Sequence, residues 1–338
     1  MDLTALQVML STLVPFLIGV ALFWLALYIF SRWSRDRALR LLALTSGLVC
    51  MYFFYAGLTR TANTPEAAAL WIRLLWPAVP FAPVVWLNMV LELDQGATAS
   101  LRWRRLTYAI LYPLAGGLAA AAILTEWIFR YSAIYRLPLF PWEGYEAPSG
   151  DGYYAMPVFL GGVLGLAAWR LFALKRQAEV VAQSHFRRMV AGTIVAAIGA
   201  VYLALDQLLA TSLPEWFGEC IMTAGVFLAI YAAISYRTTL RIRHDFFQSM
   251  IRTAVVSTLY LIAVLVGLLL QQTYSWALLF VVLSLLVVVT HTMYDMAAAW
   301  IDRVLRVPPD LGRERERSRR FYRSILFSDQ ATLDLRTW

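Results

Sequence analysis

Nine apolar stretches, each long enough to form a membrane-spanning helix, run through most of this chain. A helix needs about 20 predominantly apolar residues to cross the hydrocarbon core of a bilayer. The 338 residues are 61% hydrophobic and only 15% charged, whereas soluble domains carry about 25% charged residues. The sequence therefore predicts an all-α polytopic membrane protein. Its spans are expected at about residues 8–30, 40–58, 67–92, 105–126, 153–175, 188–210, 217–236, 253–271 and 275–296.

Basic residues alternate between the connections that join these spans. The positive-inside rule places the more basic connections in the cytoplasm, which predicts an N-terminus outside and a C-terminus inside. The net charge of +8 is then mostly a topology signal, with anionic lipid as its nearest partner, and we expect no nucleic-acid binding. The less basic connections hold Arg60, Arg130 and Arg136. The basic ones hold Arg32, Arg35, Arg37, Arg40, Arg102, Arg104, Arg105, Arg170, Lys175, Arg176, Arg187, Arg188, Arg237, Arg241, Arg243 and Arg252.

The chain divides by composition into three parts. Residues 1–243 hold seven spans with short connections, and residues 244–300 hold a transmembrane hairpin of two Leu- and Val-rich spans. Residues 301–338 form a basic cytoplasmic tail that begins near "VPPD", where two prolines end the helix. The tail either lies on lipid headgroups or docks on a cytoplasmic partner. The residues expected to dock are Arg319, Arg320, Phe321 and Ile325.

One outer connection, residues 127–154, is long and rich in aromatic residues. Part of this density is typical of the interfacial aromatic belt of membrane proteins. The alternative is a lid over the outer mouth of the bundle, or a surface where another protein sits. In that case Trp142 and Tyr145 are the expected docking residues.

The third span contains proline residues and a charge. Pro77, Pro80 and Pro83 lie near one face and should bend the helix, freeing backbone carbonyls toward the bundle interior. Arg73 lies at a depth where a charge is costly unless it is paired or hydrated. Two acids at comparable depth on other spans, and one neighbouring aromatic side chain, complete a predicted outward-facing ligand site. Its residues are Arg73, Trp76, Asp206 and Glu219.

An alternative leaves this polar group without a ligand. Arg73 and both acids are all near the predicted outer interface, where long polar side chains reach water while their apolar stems stay in the bilayer. The sequence alone does not decide between a site and three snorkelling side chains.

The third span also resembles a known family. Trp71, Arg73, Leu75, Pro80, Pro83, Trp86 and Leu87 look like the third-span signature of the seven-transmembrane N-terminal sensor region of bacterial histidine kinases. "IYAAISYRTTLRI" at 230–242 is similar to the exit of that family's last span. The resemblance covers residues 1 to about 243. It implies a receptor or sensor module in the bacterial cytoplasmic membrane, with a ligand that the family leaves undefined. No kinase domain fits after the ninth span, so any signal should pass by contact to a separate protein.

Several chemistries have no support in the sequence. The only lysine, Lys175, is at the inner end of a span, which excludes a retinal Schiff base. His291 is the one histidine within a span, too few for a bis-histidine haem. Cys50 and Cys220 have neither metal-site nor disulfide spacing. We therefore expect no catalytic residues, cofactor or metal, and a protein that is not an enzyme.

Three functional hypotheses remain. The first is a receptor-like membrane sensor that binds a small molecule or lipid and signals by contact. The second is a non-catalytic subunit of a larger membrane complex, and the third, supported only by the proline-containing third span, is a transporter. The identity of ligand and partner stays open, as does any output domain after Trp338. Gly161 and Gly165 have the GxxxG spacing of close helix packing, and whether they pair two copies of the chain is also open.

Overall fold

Helices make up nearly all of the structure. The computed structural model describes residues 3–33, 36–60, 62, 64–94, 98–137, 144–209 and 215–237, all within one unit of the chain, Met1–Ile262. A π-helical segment spans Thr107–Leu111, and a short 3₁₀ turn spans Tyr131–Ala133. The α-helices are α1 (Leu3–Trp33), α2 (Arg37–Arg60), α3 (Pro65–Leu75), α4 (Ala78–Leu93), α5 (Thr98–Leu106), α6 (Tyr112–Leu124), α7 (Ala155–Gln177), α8 (Val180–Leu209) and α9 (Glu215–Arg237).

Among the described residues, six helical segments are long and apolar enough to cross a membrane. They are Arg37–Arg60, Pro65–Leu93, Arg102–Leu124, Ala155–Gln177, Ala182–Leu209 and Glu215–Arg237. Each corresponds to a predicted span, which confirms a multi-pass, helical membrane protein. The first predicted span falls in α1, whose described apolar stretch, Val14–Phe30, is shorter, so the count of seven stays a prediction. The predicted hairpin at 244–300 and the tail at 301–338 lie outside the described residues.

Six of the helices pack into a closed ring. Contacts run from α1 to α2, α4, α7, α8, α9 and back to α1, while α6 packs on the outside of α4. Burial follows this order, because 67% of the apolar window of Pro65–Leu93 is buried but only 28% of that of Arg102–Leu124. A helix that is apolar all round suits a position with neighbours on every side, and α4 has that composition.

The third span is interrupted where the prolines predict. Thr64 caps α3 by accepting a hydrogen bond from the Ala67 N–H at 3.2 Å, and Pro65 occupies the first turn, where no donor is needed. The helix ends at Leu75, and Val79 N–H then donates to the Trp76 carbonyl at 2.8 Å across a tight turn. Trp76 therefore lies at the break between α3 and α4, with its side chain directed into the protein.

Another proline, Pro113, accounts for the π-helical segment Thr107–Leu111. Pro113 has no N–H to donate to the carbonyl four residues earlier, that of Ala109, and a π-bulge is one way for a helix to accommodate the lost bond.

Glycines allow α8 and α9 to approach closely. An added Cβ at Gly225 would overlap the Ala196 nitrogen, and one at Gly199 would overlap the Met222 nitrogen. Small residues of this kind let two membrane helices bring their backbones into contact. Gly165, by contrast, has nothing described within 4 Å of its ideal Cβ position. The GxxxG pair predicted on α7 is thus not the closest glycine contact among the described residues.

The long aromatic connection folds back onto the bundle. It contains an antiparallel pair of strands, β1 (Tyr135–Leu137) and β2 (Gly144–Glu146), and a further bridge joins Phe129 to Ser149. Phe129 is buried and meets Trp76 edge to face, with ring centroids 5.0 Å apart. We call the end of the bundle that carries this β1–β2 hairpin the hairpin end; the name does not refer to the predicted transmembrane hairpin at 244–300.

The opposite end, which we call the arginine end, has a network of ion pairs on the last turn of α4. Glu92 pairs with Arg37 at 3.2 Å and with Arg104 at 3.4 Å, while Asp94 pairs with Arg170 at 2.6 Å. These arginines come from α2, α5 and α7. The sequence analysis took them only as a topology signal, yet they also join helices around two partly buried carboxylates.

Candidate ligand cavity

A cavity of about 160 Å³ lies inside the ring of helices. Its walls are formed by side chains of α2, α4, α7, α8 and α9, and most of them are apolar. The apolar lining includes Leu48, Val49, Ala82, Leu164, Ala200, Val226 and Ile230. A mostly apolar cavity lining with a few polar groups is typical of a small-molecule site.

The cavity is long and narrow. On α2 its lining runs from Thr45 to Arg60, a distance of about 22 Å at a rise of about 1.5 Å per residue. At the deep end the indole Nε1 of Trp86 donates to the Thr193 hydroxyl at 3.2 Å, and that hydroxyl donates to the Met189 carbonyl at 2.8 Å. These deep polar groups are therefore paired within the protein, so the deep end of the cavity is effectively apolar.

Charged groups gather where the cavity reaches the hairpin end. Arg60 donates to Glu219 at 3.0 Å and also to Glu215. Both acids lie in the first turns of α9, where the helix dipole favours negative charge. The Glu219 side chain is fully buried, and its Oε2 has no hydrogen-bond partner among the described residues. Arg60 thus neutralises part of an acidic group that would otherwise be costly at this depth.

Tyrosines surround this charged group. Tyr52 and Tyr55 lie three residues apart on one face of α2, with ring centroids 6.0 Å apart, and both line the cavity. Tyr55 interacts electrostatically with Glu146 and Arg60, and Tyr153 with Glu146 and Asp206. We call these groups the polar cap. Its members are Tyr52, Tyr55, Arg60, Glu146, Tyr153, Asp206, Glu215 and Glu219.

The aromatic connection closes the cavity at the polar cap. Tyr145, Glu146 and Ala147 line the cavity from the connection, and the Gln207 side chain of α8 donates to the Ala147 carbonyl at 3.1 Å. Tyr135 donates to Glu146 at 2.9 Å. Burial, and then the Glu146 carboxylate, raise the pKa of Tyr135, so its hydroxyl keeps the proton that it donates. The connection therefore has the position of a lid.

The four predicted ligand residues are distributed over this region. Trp76 is buried and lines the cavity. Glu219 and Asp206 are buried in the polar cap, behind the lining. Arg73 lies on the exposed surface with its guanidinium carbon 4.3 Å from the centre of the Tyr131 ring. The cation that contacts Glu219 is Arg60.

Sequence analysis missed Arg60 as a site residue because it was counted as a connection arginine. The position of Arg60 along the bilayer normal offered a signal for its pairing with Glu215. Arg60 ends the second span, and Glu215 begins the seventh at the same side of the bilayer. Tyr52 and Tyr55 offered another, because residues at i and i+3 share a helix face.

Of the predicted docking residues, Tyr145 is the one whose side chain the structure describes. It is partly buried and lines the cavity. Trp142, Arg319, Arg320, Phe321 and Ile325 lie outside the described residues.

The carboxyl groups of the polar cap do not converge on one point. Within the described part of the chain, no three His, Cys, Asp or Glu side chains are close enough together to hold a metal ion. The cap is thus arranged around tyrosine rings and one arginine.

Fold and site together define the class: a polytopic helical membrane protein with an elongated, lid-covered cavity inside its bundle. Comparisons of the chain with protein-family models, with curated proteins and with solved structures found no match. The resemblance to histidine-kinase sensor regions therefore stays a prediction.

Proposed function

We propose that this protein is a receptor-like membrane sensor, which binds a small molecule or lipid in the cavity and signals by contact to a separate partner. The observation that carries the proposal is the cavity itself, with apolar walls, a polar cap and a lid. The family resemblance of residues 1 to about 243 supports the same function and a bacterial cytoplasmic membrane. In the orientation that the basic residues predict, the cap faces outward.

The size of the cavity limits its occupant to a slim apolar body. A cavity of about 150 Å³ lined by aliphatic and aromatic side chains can take up benzene, and this one is of similar volume but extends along α2. A single acyl chain or a narrow ring system suits such a shape better than a bulky cofactor does.

Helix α4 offers a path for the signal. Ala82 and Trp86 line the cavity, and the last turn of the same helix carries Glu92, which pairs with arginines of α2 and α5. An occupant that binds two packings of α4 with different affinity would shift the equilibrium between them. The ion pairs at the arginine end would then rearrange and change the surface offered to a partner.

The test fills the cavity with a larger side chain and measures whether a bound small molecule is lost. Ala200 lines the cavity from α8, whereas Ala191 is exposed on the same helix. Ala200→Phe should remove a small bound mass detected by native mass spectrometry after gentle extraction from native membranes. Ala191→Phe adds the same volume outside the cavity, so it should retain that mass.

Two results would contradict the proposal. One is a wild-type protein that carries no small bound mass and responds to none of a panel of added lipids. The other is a bound mass that survives Ala200→Phe. If stoichiometric protein partners are recovered instead and are unaffected by Ala200→Phe, the protein is a non-catalytic subunit of a larger membrane complex.

A further inference from the structure

The polar cap has an excess of carboxyl groups. Among the described residues it contains Arg60 as its arginine against the acids Glu146, Asp206, Glu215 and Glu219. Two other arginines at the hairpin end have side chains that the structure describes, and both are occupied on the exposed surface. Arg73 lies over Tyr131, and Arg130 pairs with Asp151 at 2.6 Å. The closed end of the cavity is therefore a poor environment for an anionic headgroup.

Arg60 is also engaged already. It contacts both Glu215 and Glu219, and Glu219 is fully buried. An anionic ligand that took Arg60 for itself would leave a buried carboxyl group without its partner, which is strongly unfavourable. A cationic ligand leaves this pairing intact and adds positive charge beside carboxyl groups that outnumber the arginine.

The tyrosines offer a second means of holding a cation. Tyr52, Tyr55, Tyr145 and Tyr153 all line the cavity next to Glu146 and Glu215. The face of an aromatic ring carries negative electrostatic potential and attracts an ammonium group, most strongly where water is excluded. The polar cap thus combines aromatic rings and carboxylates, and both kinds of group attract an ammonium ligand. An uncharged headgroup would leave it unused.

We propose that the ligand is an organic cation, a protonated amine carried on a slim apolar body, with its ammonium group in the polar cap. The apolar body extends along α2 toward Thr45. This inference deepens the proposed function and rests on it. A free metal ion is disfavoured by geometry, because the described carboxyl groups do not gather into a coordinating set.

Three probes with the same tail and different headgroups test this assignment: dodecylamine, dodecanol and dodecanoic acid. Each is titrated onto the full chain in nanodiscs of zwitterionic lipid. Tryptophan fluorescence is the readout, because Trp76 and Trp86 line the cavity. Ala200→Phe in the same nanodiscs is the blank, and subtracting it removes partition of the probe into lipid. Dodecylamine should bind at least about tenfold more tightly than dodecanol, which corresponds to about 1.4 kcal/mol.

Two variants then locate the headgroup. Glu215→Gln and Glu146→Gln each remove one negative charge from the cavity lining, and each should weaken dodecylamine binding by about three- to tenfold while leaving dodecanol binding unchanged. Glu66→Gln is the matched control, since Glu66 is exposed at the start of α3 and outside the lining. It should change neither probe. Circular dichroism and gel filtration establish that the variants fold.

Each outcome decides a different point. Equal binding of dodecylamine and dodecanol, or tighter binding of dodecanoic acid, overturns the assignment of a cation while leaving ligand binding in the cavity intact. An amine preference that Glu66→Gln lowers as much as Glu215→Gln reflects surface charge and also overturns it. If no probe distinguishes the wild type from Ala200→Phe, the cavity takes no slim ligand and the proposed function fails with the inference.

Discussion

The site contains a buried ion pair between Arg60 and Glu219. Arg60 and Glu219 have side chains that are 11% and 0% exposed, and they meet at 3.0 Å between two helices distant in sequence. Such a pair gains little over apolar packing, but removing one partner strands the other charge in a medium that solvates it poorly. The pair therefore links α2 to α9.

Arg60→Met should destabilise the protein by about 3 kcal/mol, because it leaves Glu215 and Glu219 without their cation. The free energy of unfolding in mixed micelles of mild detergent and SDS is the measurement. Arg73→Met is the matched control, since the exposed Arg73 contacts a tyrosine ring and should cost at most about 1 kcal/mol. An equal loss in the two variants would show that the Arg60 pair has no special structural role.

Backbone contact decides how α8 and α9 pack. Gly225 and Gly199 meet the opposite helix at distances that leave no room for a Cβ, whereas Gly165 on α7 has open space in the described structure. Sequence analysis singled out Gly161 and Gly165 for their spacing. It passed over the α8–α9 glycines because they are spread over two spans, and one sequence shows no sign that distant small residues face each other.

Gly225→Ala should destabilise the protein by about 1–3 kcal/mol, because the methyl group must push α9 away from Ala196. Gly165→Ala, the same change on a neighbouring helix, should be neutral or stabilise by up to about 1 kcal/mol through helix propensity. Thermal unfolding in nanodiscs compares the two variants. Should Gly165→Ala prove the more damaging, the contact that matters lies on α7, as an association between two copies of the chain would require.

At the scale of the whole molecule, the sequence predicts how deep a residue lies in the membrane better than it predicts which side of its helix the side chain occupies. Hydropathy places six spans where the structure has them, and the prolines locate the break at Trp76. The three charged residues of the predicted site were chosen by their depth along a span. Depth favoured Arg73, inside a predicted span, over Arg60, counted in a connection, but depth does not tell which way a side chain points around the helix axis. Packing alone puts one on the surface and the other inside.

The same limit explains the lid. Aromatic residues in a connection are equally consistent with an interfacial belt and with a folded cover. Burial of Phe129 against Trp76 depends on a contact between residues more than fifty positions apart. No local pattern encodes that contact.

The two ends of the bundle predict the orientation of the cavity. The arginine end brings together Arg37, Arg104 and Arg170 around the carboxylates of α4, and the positive-inside rule places such an end in the cytoplasm. The hairpin end, with its acidic cap and lid, then faces outward. A sensor of an external compound needs that arrangement, since its ligand must reach the lid without crossing the whole bilayer.

Cysteine labelling in intact cells measures this orientation. Ser132 is exposed at the hairpin end, and Glu179 is exposed between α7 and α8 at the other end. With Cys50 and Cys220 replaced by Ala, a membrane-impermeant maleimide should label Ser132→Cys in intact cells. Glu179→Cys should react only after lysis, which is the internal control for a thiol that is accessible but enclosed. Labelling of Glu179→Cys alone in intact cells would place the polar cap in the cytoplasm and make any ligand an intracellular compound.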